Sequence, residues 1–128
     1  MNRSRRSSRW MAMVAVILCV TAVAAAAEDT IKIGALMSLT GALAPYGPPI
    51  ANGALLAVEQ INAAGGILGK RLELIIEDDG TSPDVGRNAA SKLVEIDGVS
   101  AIVGALSSGV TLAVSSVTLP AEVILMSP

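Results

Sequence analysis

The sequence predicts an α/β fold: a parallel sheet with helices on both faces. Short apolar runs recur at residues 30–37, 72–77, 99–103 and 123–126. Between them, apolar residues return every three or four positions, the period of a helix that buries one side. Glycine and proline mark the junctions, as at Gly65-Gly66 and Asp97-Gly98. Four such alternations imply parallel strands joined by right-handed crossovers.

The first strand spans 30–37, followed by a polar loop rich in glycine and proline over 38–49. A helix over 49–64 follows, with prolines near its first turn, where a missing N–H costs nothing. Ile50, Ala54, Leu55, Val58 and Ile61 define its expected buried face. Gly65 and Gly66 stop it, because glycine reaches the left-handed conformation of a C-terminal cap. The run Leu72, Leu74, Ile75, Ile76 reads as a strand covered on both faces. Asp78 to Pro83 form a turn, and Asp84 starts a helix over 84–96 whose apolar positions are Val85, Ala89, Leu93 and Ile96. Asp97-Gly98 ends that helix before the third strand at 99–103. A short helix over 107–118 and a fourth strand at 123–126 complete the order.

Residues 1–27 follow different rules. Arg3, Arg5, Arg6 and Arg9 precede an apolar core at 11–23 and the small residues Ala24 to Ala27. That three-part pattern is a secretory signal peptide, cut after Ala27. The apolar core falls short of the roughly 18–20 residues that span a bilayer. Ser7 and Ser8 follow Arg5-Arg6 where a twin-arginine signal favours apolar residues, and Leu18 precedes Cys19 where lipoprotein processing wants a small one. Cys19 is therefore expected to be discarded with the signal.

Residues 28–128 carry five bases against eleven acids, a net charge of −6, with no cysteine and no histidine. An acidic segment without a basic cluster argues against nucleic acid and anionic membrane as partners. A zinc site of the usual Cys/His kind, and any triad built on Cys or His, are excluded from this segment. Tyr46 is its one aromatic residue, so no platform exists for stacking single-stranded bases. GGILGKR resembles a phosphate loop, but Ala64 and Arg71 stand where that loop needs glycine and Ser/Thr. The turn after the first strand lacks dinucleotide spacing. Asp78-Asp79 reads as a turn cap rather than a metal site. Glu59, Glu73, Glu77 and Glu95 read as solvated charges.

In open α/β sheets, ligands bind beyond the carboxyl ends of the strands. Three segments reach that rim: 38–46, 105–109 and 127–128. The stretch from Gly104 to Gly109 leaves a strand and enters a helix, so its free N–H groups and the hydroxyls of Ser107 and Ser108 suit an anion such as a carboxylate. The plainer role of these serines is helix capping. For Tyr46, the plainer role is to pack its ring on its own domain. The sequence stops directly after an apolar strand, which gives the expectation that 28–128 is part of a longer protein.

Several blocks occur in order: Leu39-Thr40-Gly41, Asn52-Gly53-Ala54, the INAAGG run from Ile61 to Gly66, Asp78-Asp79 and Ile102-Val103-Gly104. With them, residues 31–128 resemble the start of the periplasmic branched-chain amino-acid-binding proteins, the extracytoplasmic receptors of ABC importers. The resemblance implies two α/β lobes closing on a solute, of which 28–128 is the first part of the N-terminal lobe. It implies that Ser108 binds the amino acid's carboxylate and that Tyr46 lines the ligand. It also implies a solute and a membrane permease as partners, a monomer at full length, no cofactor and no catalysis. Some members bridge two loops with a disulfide; the matching positions here are Thr81 and Ser107, so that link is missing. Further ligand contacts of the family fall after residue 128. A ligand-sensing domain of a receptor or regulator uses the same fold and is the alternative; the signal peptide favours the importer. An exported enzyme is a third class, disfavoured by the missing His and Cys.

Overall fold

The computed structural model describes residues 30–127. The expected signal peptide, its cleavage point, Cys19 and Pro128 lie outside the described residues. Strand β1 (Ile31–Met37) runs parallel to β2 (Leu72–Asp78), in a register from Ile31↔Leu72 to Met37↔Asp78. On its other side β1 pairs with β3 (Ala101–Val103), and β3 pairs with β4 (Ile124–Met126), all parallel. The sheet order is β2-β1-β3-β4. The first described strand thus lies inside the sheet, the next is added on one side of it, and the last two on the other. Among the described residues the α-helices are α1 (Gly47–Ala63), α2 (Pro83–Ser91) and α3 (Ser108–Thr118).

Side-chain alternation along the strands divides the interior into two layers. Leu36 and Ile102 point to one face, where Ala89 and Ala90 of α2, Leu93 in the turn that continues it, and Val110 and Val114 of α3 bury them. Small residues set this spacing. A Cβ on Gly86 would run into Val110 Cγ1, and one on Gly34 would stand 2.8 Å from Leu93 Cδ1. On the other face Ala35 and Met37 meet Ala51 and Ala54 of α1, with Leu74 and Ile76 beside them. Helices therefore cover both faces, as the alternation of the sequence predicts.

The faces of two helices differ from expectation. On α1 the buried side runs through Ala51, Ala54 and Val58 toward Asn62, while Ile50, Leu55 and Ile61 are exposed. Periodicity favours the largest apolar residues, but a helix lying close on a strand needs small ones beneath its axis. Gly47 enforces that approach, since a Cβ there would collide with the Ser38 carbonyl oxygen. In the second case α2 passes into a π-helical turn, Lys92–Asp97. Its wider i→i+5 winding carries Ile96 off the buried face to 76 % exposure, and Val85 is exposed as well. Glycine stops behave as read: Gly65, Gly66 and Gly98 have φ of 104°, 76° and 68°.

Two polar ties hold the layers in register. Asn62 donates from Nδ2 to the Leu72 carbonyl (2.9 Å) and accepts the Leu72 N–H at Oδ1 (2.8 Å). It thereby occupies the open edge of β2 as a neighbouring strand would. Lys92 Nζ donates to Glu77 Oε1 at 2.5 Å and to Asp97 Oδ2 at 3.2 Å. Glu77 is thus not a simple solvated charge: it joins β2 to the end of the α2 arm.

Candidate functional site

The carboxyl ends of β1, β3 and β4 converge on one cavity of about 320 Å³. Leu36, Met37 and Ser38 of β1 and its exit form one wall, and Gly47 and Ile50 in the first turn of α1 form another. Val103, Gly104 and Leu106 come from the β3 exit, and Met126 and Ser127 from β4. The lining is mostly apolar, with Ser38 and Ser127 as its polar residues. Strand ends produce this arrangement because each strand stops at the same edge of a parallel sheet, where the chain must turn into a helix. Gly104, with φ 110°, lets the β3 exit pass against β1: a Cβ there would collide with the Leu36 carbonyl oxygen.

None of the three residues expected to touch a ligand lines this cavity directly. Two of them adjoin a residue that does, Tyr46 before Gly47 and Ser107 after Leu106, and Ser108 is one position further on. Tyr46 is 59 % exposed, so its ring is not packed away on its own domain. Ser107 is the N-cap of α3 with an extended backbone, φ −90° and ψ 128°, but its side chain makes no capping hydrogen bond. Ser108 opens the helix and is exposed. The first-turn N–H groups of α3 have no intrahelical partner, as at any helix start.

Neighbouring hydroxyls are committed to holding this exit. The Thr111 hydroxyl lies 3.2 Å from the Ala105 carbonyl, 3.1 Å from that of Ser107 and 3.2 Å from Ser127 Oγ. Ser127 Oγ donates to the Ala105 carbonyl at 3.0 Å. Helix α3 and the β4 exit thus both fasten the segment that carries Ser107 and Ser108. Among the described residues, neither of those two serine side chains has an intramolecular hydrogen bond. The sequence marks Ser107 and Ser108 but gives no sign of the Thr111–Ser127 pair, whose members are 16 residues apart.

Beside this edge stands a polar junction between the β1 exit and the β2 exit. Asp78 Oδ1 accepts N–H groups from Leu39 (2.9 Å), Thr40 (3.1 Å) and Gly80 (2.9 Å), and Oδ2 accepts the Thr40 hydroxyl at 2.5 Å. Partial burial raises the Asp78 carboxyl. The hydrogen bonds from the Thr40 hydroxyl and from the Gly80, Thr40 and Leu39 N–H groups outweigh that effect, and they hold it below its ordinary value. Asp79 is fully buried; its Oδ1 accepts the Ser38 hydroxyl and the Thr81 N–H, both at 2.8 Å. Both acids serve the turn, the use expected of an acid pair at a strand end. Among the described residues no cluster of three acidic side chains is placed to hold a metal, and no helix is long and apolar enough to cross a membrane.

A family profile described as periplasmic binding protein matches residues 30–128. The chain belongs to the periplasmic binding protein family. It is 40 % identical over 116 residues to the Leu/Ile/Val-binding protein BraC3 of Rhizobium johnstonii, covering 91 % of this chain and 31 % of that protein. It is 40 % identical over 102 residues to the leucine-, isoleucine-, valine-, threonine- and alanine-binding protein of Pseudomonas aeruginosa, covering 80 % of this chain and 27 % of that one. Among solved structures, the branched-chain amino-acid transporter substrate-binding protein LivJ of Streptococcus pneumoniae, in complex with isoleucine, superposes with a TM-score of 0.75. Its identity is 42 %, over 78 % of this chain and 29 % of that one. This periplasmic binding protein chain therefore spans about three-tenths of the length of those relatives. The parallel α/β layout is that of the type I binding-protein fold.

Proposed function

We propose that this chain is the first part of the N-terminal lobe of an extracytoplasmic solute receptor. The receptor delivers a branched-chain or related amino acid to the membrane permease of an ABC importer. On this proposal residues 1–27 are the export signal, and the receptor acts in the periplasm as a monomer. It performs no catalysis and uses no cofactor. Solute burial between two lobes favours the closed state, which the permease recognises.

The observation that carries the proposal is the exit of β3. There the start of α3 offers N–H groups without an intrahelical partner, and among the described residues the Ser107 and Ser108 hydroxyls make no hydrogen bond. The helix's positive end adds to those donors, which favours a carboxylate. Tyr46 stands exposed at the start of α1 and supplies a surface for the solute side chain.

The test is calorimetric titration of the full-length receptor with L-isoleucine. Ser108→Ala removes one charge-assisted donor, worth roughly 1.5–3 kcal/mol. Affinity should therefore fall by about tenfold to a hundredfold. Ser107→Ala is the control and should cost less. If Ser108→Ala lowers the melting temperature and leaves affinity untouched, Ser108 only supports the helix start and the carboxylate assignment fails.

A further inference from the structure

We propose that Asp78 is the positioning residue for Tyr46: its carboxylate, with the Thr81 hydroxyl, fastens the β1–α1 loop to the turn after β2 and so fixes where Tyr46 stands. The proposal deepens the assignment of Tyr46 as a solute-facing residue and rests on it.

The loop needs such a fastening. Leu39, Thr40, Gly41 and Ala42 are all exposed, so apolar burial does little to order its first half. Polar bonds replace it. Asp78 gathers the Leu39 and Thr40 N–H groups and the Thr40 hydroxyl, and it ties them to the Gly80 N–H of its own turn. Thr81 Oγ1 donates to the Thr40 carbonyl at 3.0 Å and accepts the Leu43 N–H at 3.1 Å. Gly41, with φ 81°, permits the contact, because a Cβ there would collide with the Gly80 carbonyl oxygen.

From Leu43 the constraint passes directly to Tyr46. The Tyr46 N–H donates to the Leu43 carbonyl at 2.9 Å, and Gly47 is buried against the Ser38 carbonyl. Both ends and the middle of the loop are thus tied, while the Tyr46 ring itself is largely exposed. Its place follows from the backbone beneath it. The β1–β2 register, which ends level at Met37↔Asp78, is what brings this acid beside residues 38 and 39 positions away in sequence.

The choice of variants follows from the acceptor pattern. Three N–H groups use Oδ1, so Asp78→Asn retains an acceptor for all of them, and the new amide can donate to the Thr40 hydroxyl. Asp78→Ala removes every bond. Tyr46 is the only tyrosine in residues 1–128, and in the full-length receptor labelled with ¹³C-tyrosine its ring signal is assigned as the one missing from a Tyr46→Phe variant. In Asp78→Ala that signal should move toward its denatured position. The Leu39 and Thr40 amides should exchange with solvent at least about tenfold faster, the factor set by one charge-assisted hydrogen bond. The Leu36 and Ile102 amides should hold their rates, and Asp78→Asn should stay near wild type. Thr81→Val should shift the same signal in the same direction by less, and it carries the test if Asp78→Ala does not fold.

An unmoved Tyr46 signal in Asp78→Ala, or in Thr81→Val where that variant carries the test, overturns the proposal. So does acceleration of the Ile102 amide by the same factor, which would mean general loosening. L-isoleucine affinity measured on the same variants separates the two levels. A displaced Tyr46 with unchanged affinity refutes its contact with solute and leaves the fastening in place.

Discussion

Replacing Asn62 by alanine should destabilise the domain by about 2 kcal/mol, although Asn62 lies near the end of an exposed helix. Its side chain makes two hydrogen bonds to Leu72, at 2.9 and 2.8 Å, on the edge of β2 that no strand among the described residues covers. Each is worth about 1 kcal/mol net. Leu72 is only 5 % exposed, so water replaces the lost partner poorly, and each orphaned group adds up to about 1 kcal/mol. Against this, alanine is the better helix former by about 0.5 kcal/mol. With a urea slope near 1.5 kcal/mol/M, the unfolding midpoint should fall by about 1.3 M. Asn62→Asp is the sharper probe. It keeps an acceptor for the Leu72 N–H but turns a second oxygen toward the Leu72 carbonyl, so it should cost at least as much as alanine. A midpoint within about 0.3 M of wild type for Asn62→Ala, or an aspartate variant as stable as wild type, would show that Asn62 does not hold this edge.

Three further outcomes are expected. Because the folded Asp78 carboxyl is held below its ordinary 3.8, it contributes stability that is present above about pH 5 and is lost as pH falls through 3.8 toward the folded value; Asp78→Asn should flatten that acid limb in urea titrations at stepped pH. Ile102→Ala, at a fully buried position between α2 and α3, should cost about 2–5 kcal/mol by the same assay, and a smaller loss would mean the layer collapses onto the gap. N-terminal sequencing of the exported protein should read from Glu28; retention of residues 11–23 would refute the signal-peptide assignment.

What the residues alone determined is what depends on short-range rules. Runs of β-branched and aliphatic residues, helical spacing, and glycines at 65, 66 and 98 placed all four strands and three helices within a few positions, because propensity and capping act over a handful of residues. The blocks from Leu39 to Gly104 carried the family for the same reason: they are read in order along the chain. Tertiary structure decided which side of each helix is buried. Ala51 and not Ile50 lies against the sheet, since backbone approach at Gly47 demands small residues, and the π-helical turn releases Ile96. It also decided the polar fastenings. Asp78 meets Thr40, Asn62 meets Leu72, and Thr111 meets Ser127 only after β1, β2, β3 and β4 take their order and register. Hydrogen bonds reach about 3 Å, so Thr40 meets Asp78 and Thr111 meets Ser127 only when the sheet has brought its carboxyl strand ends to one edge, and Asn62 meets Leu72 at the other end of β2 only when α1 packs back along the sheet.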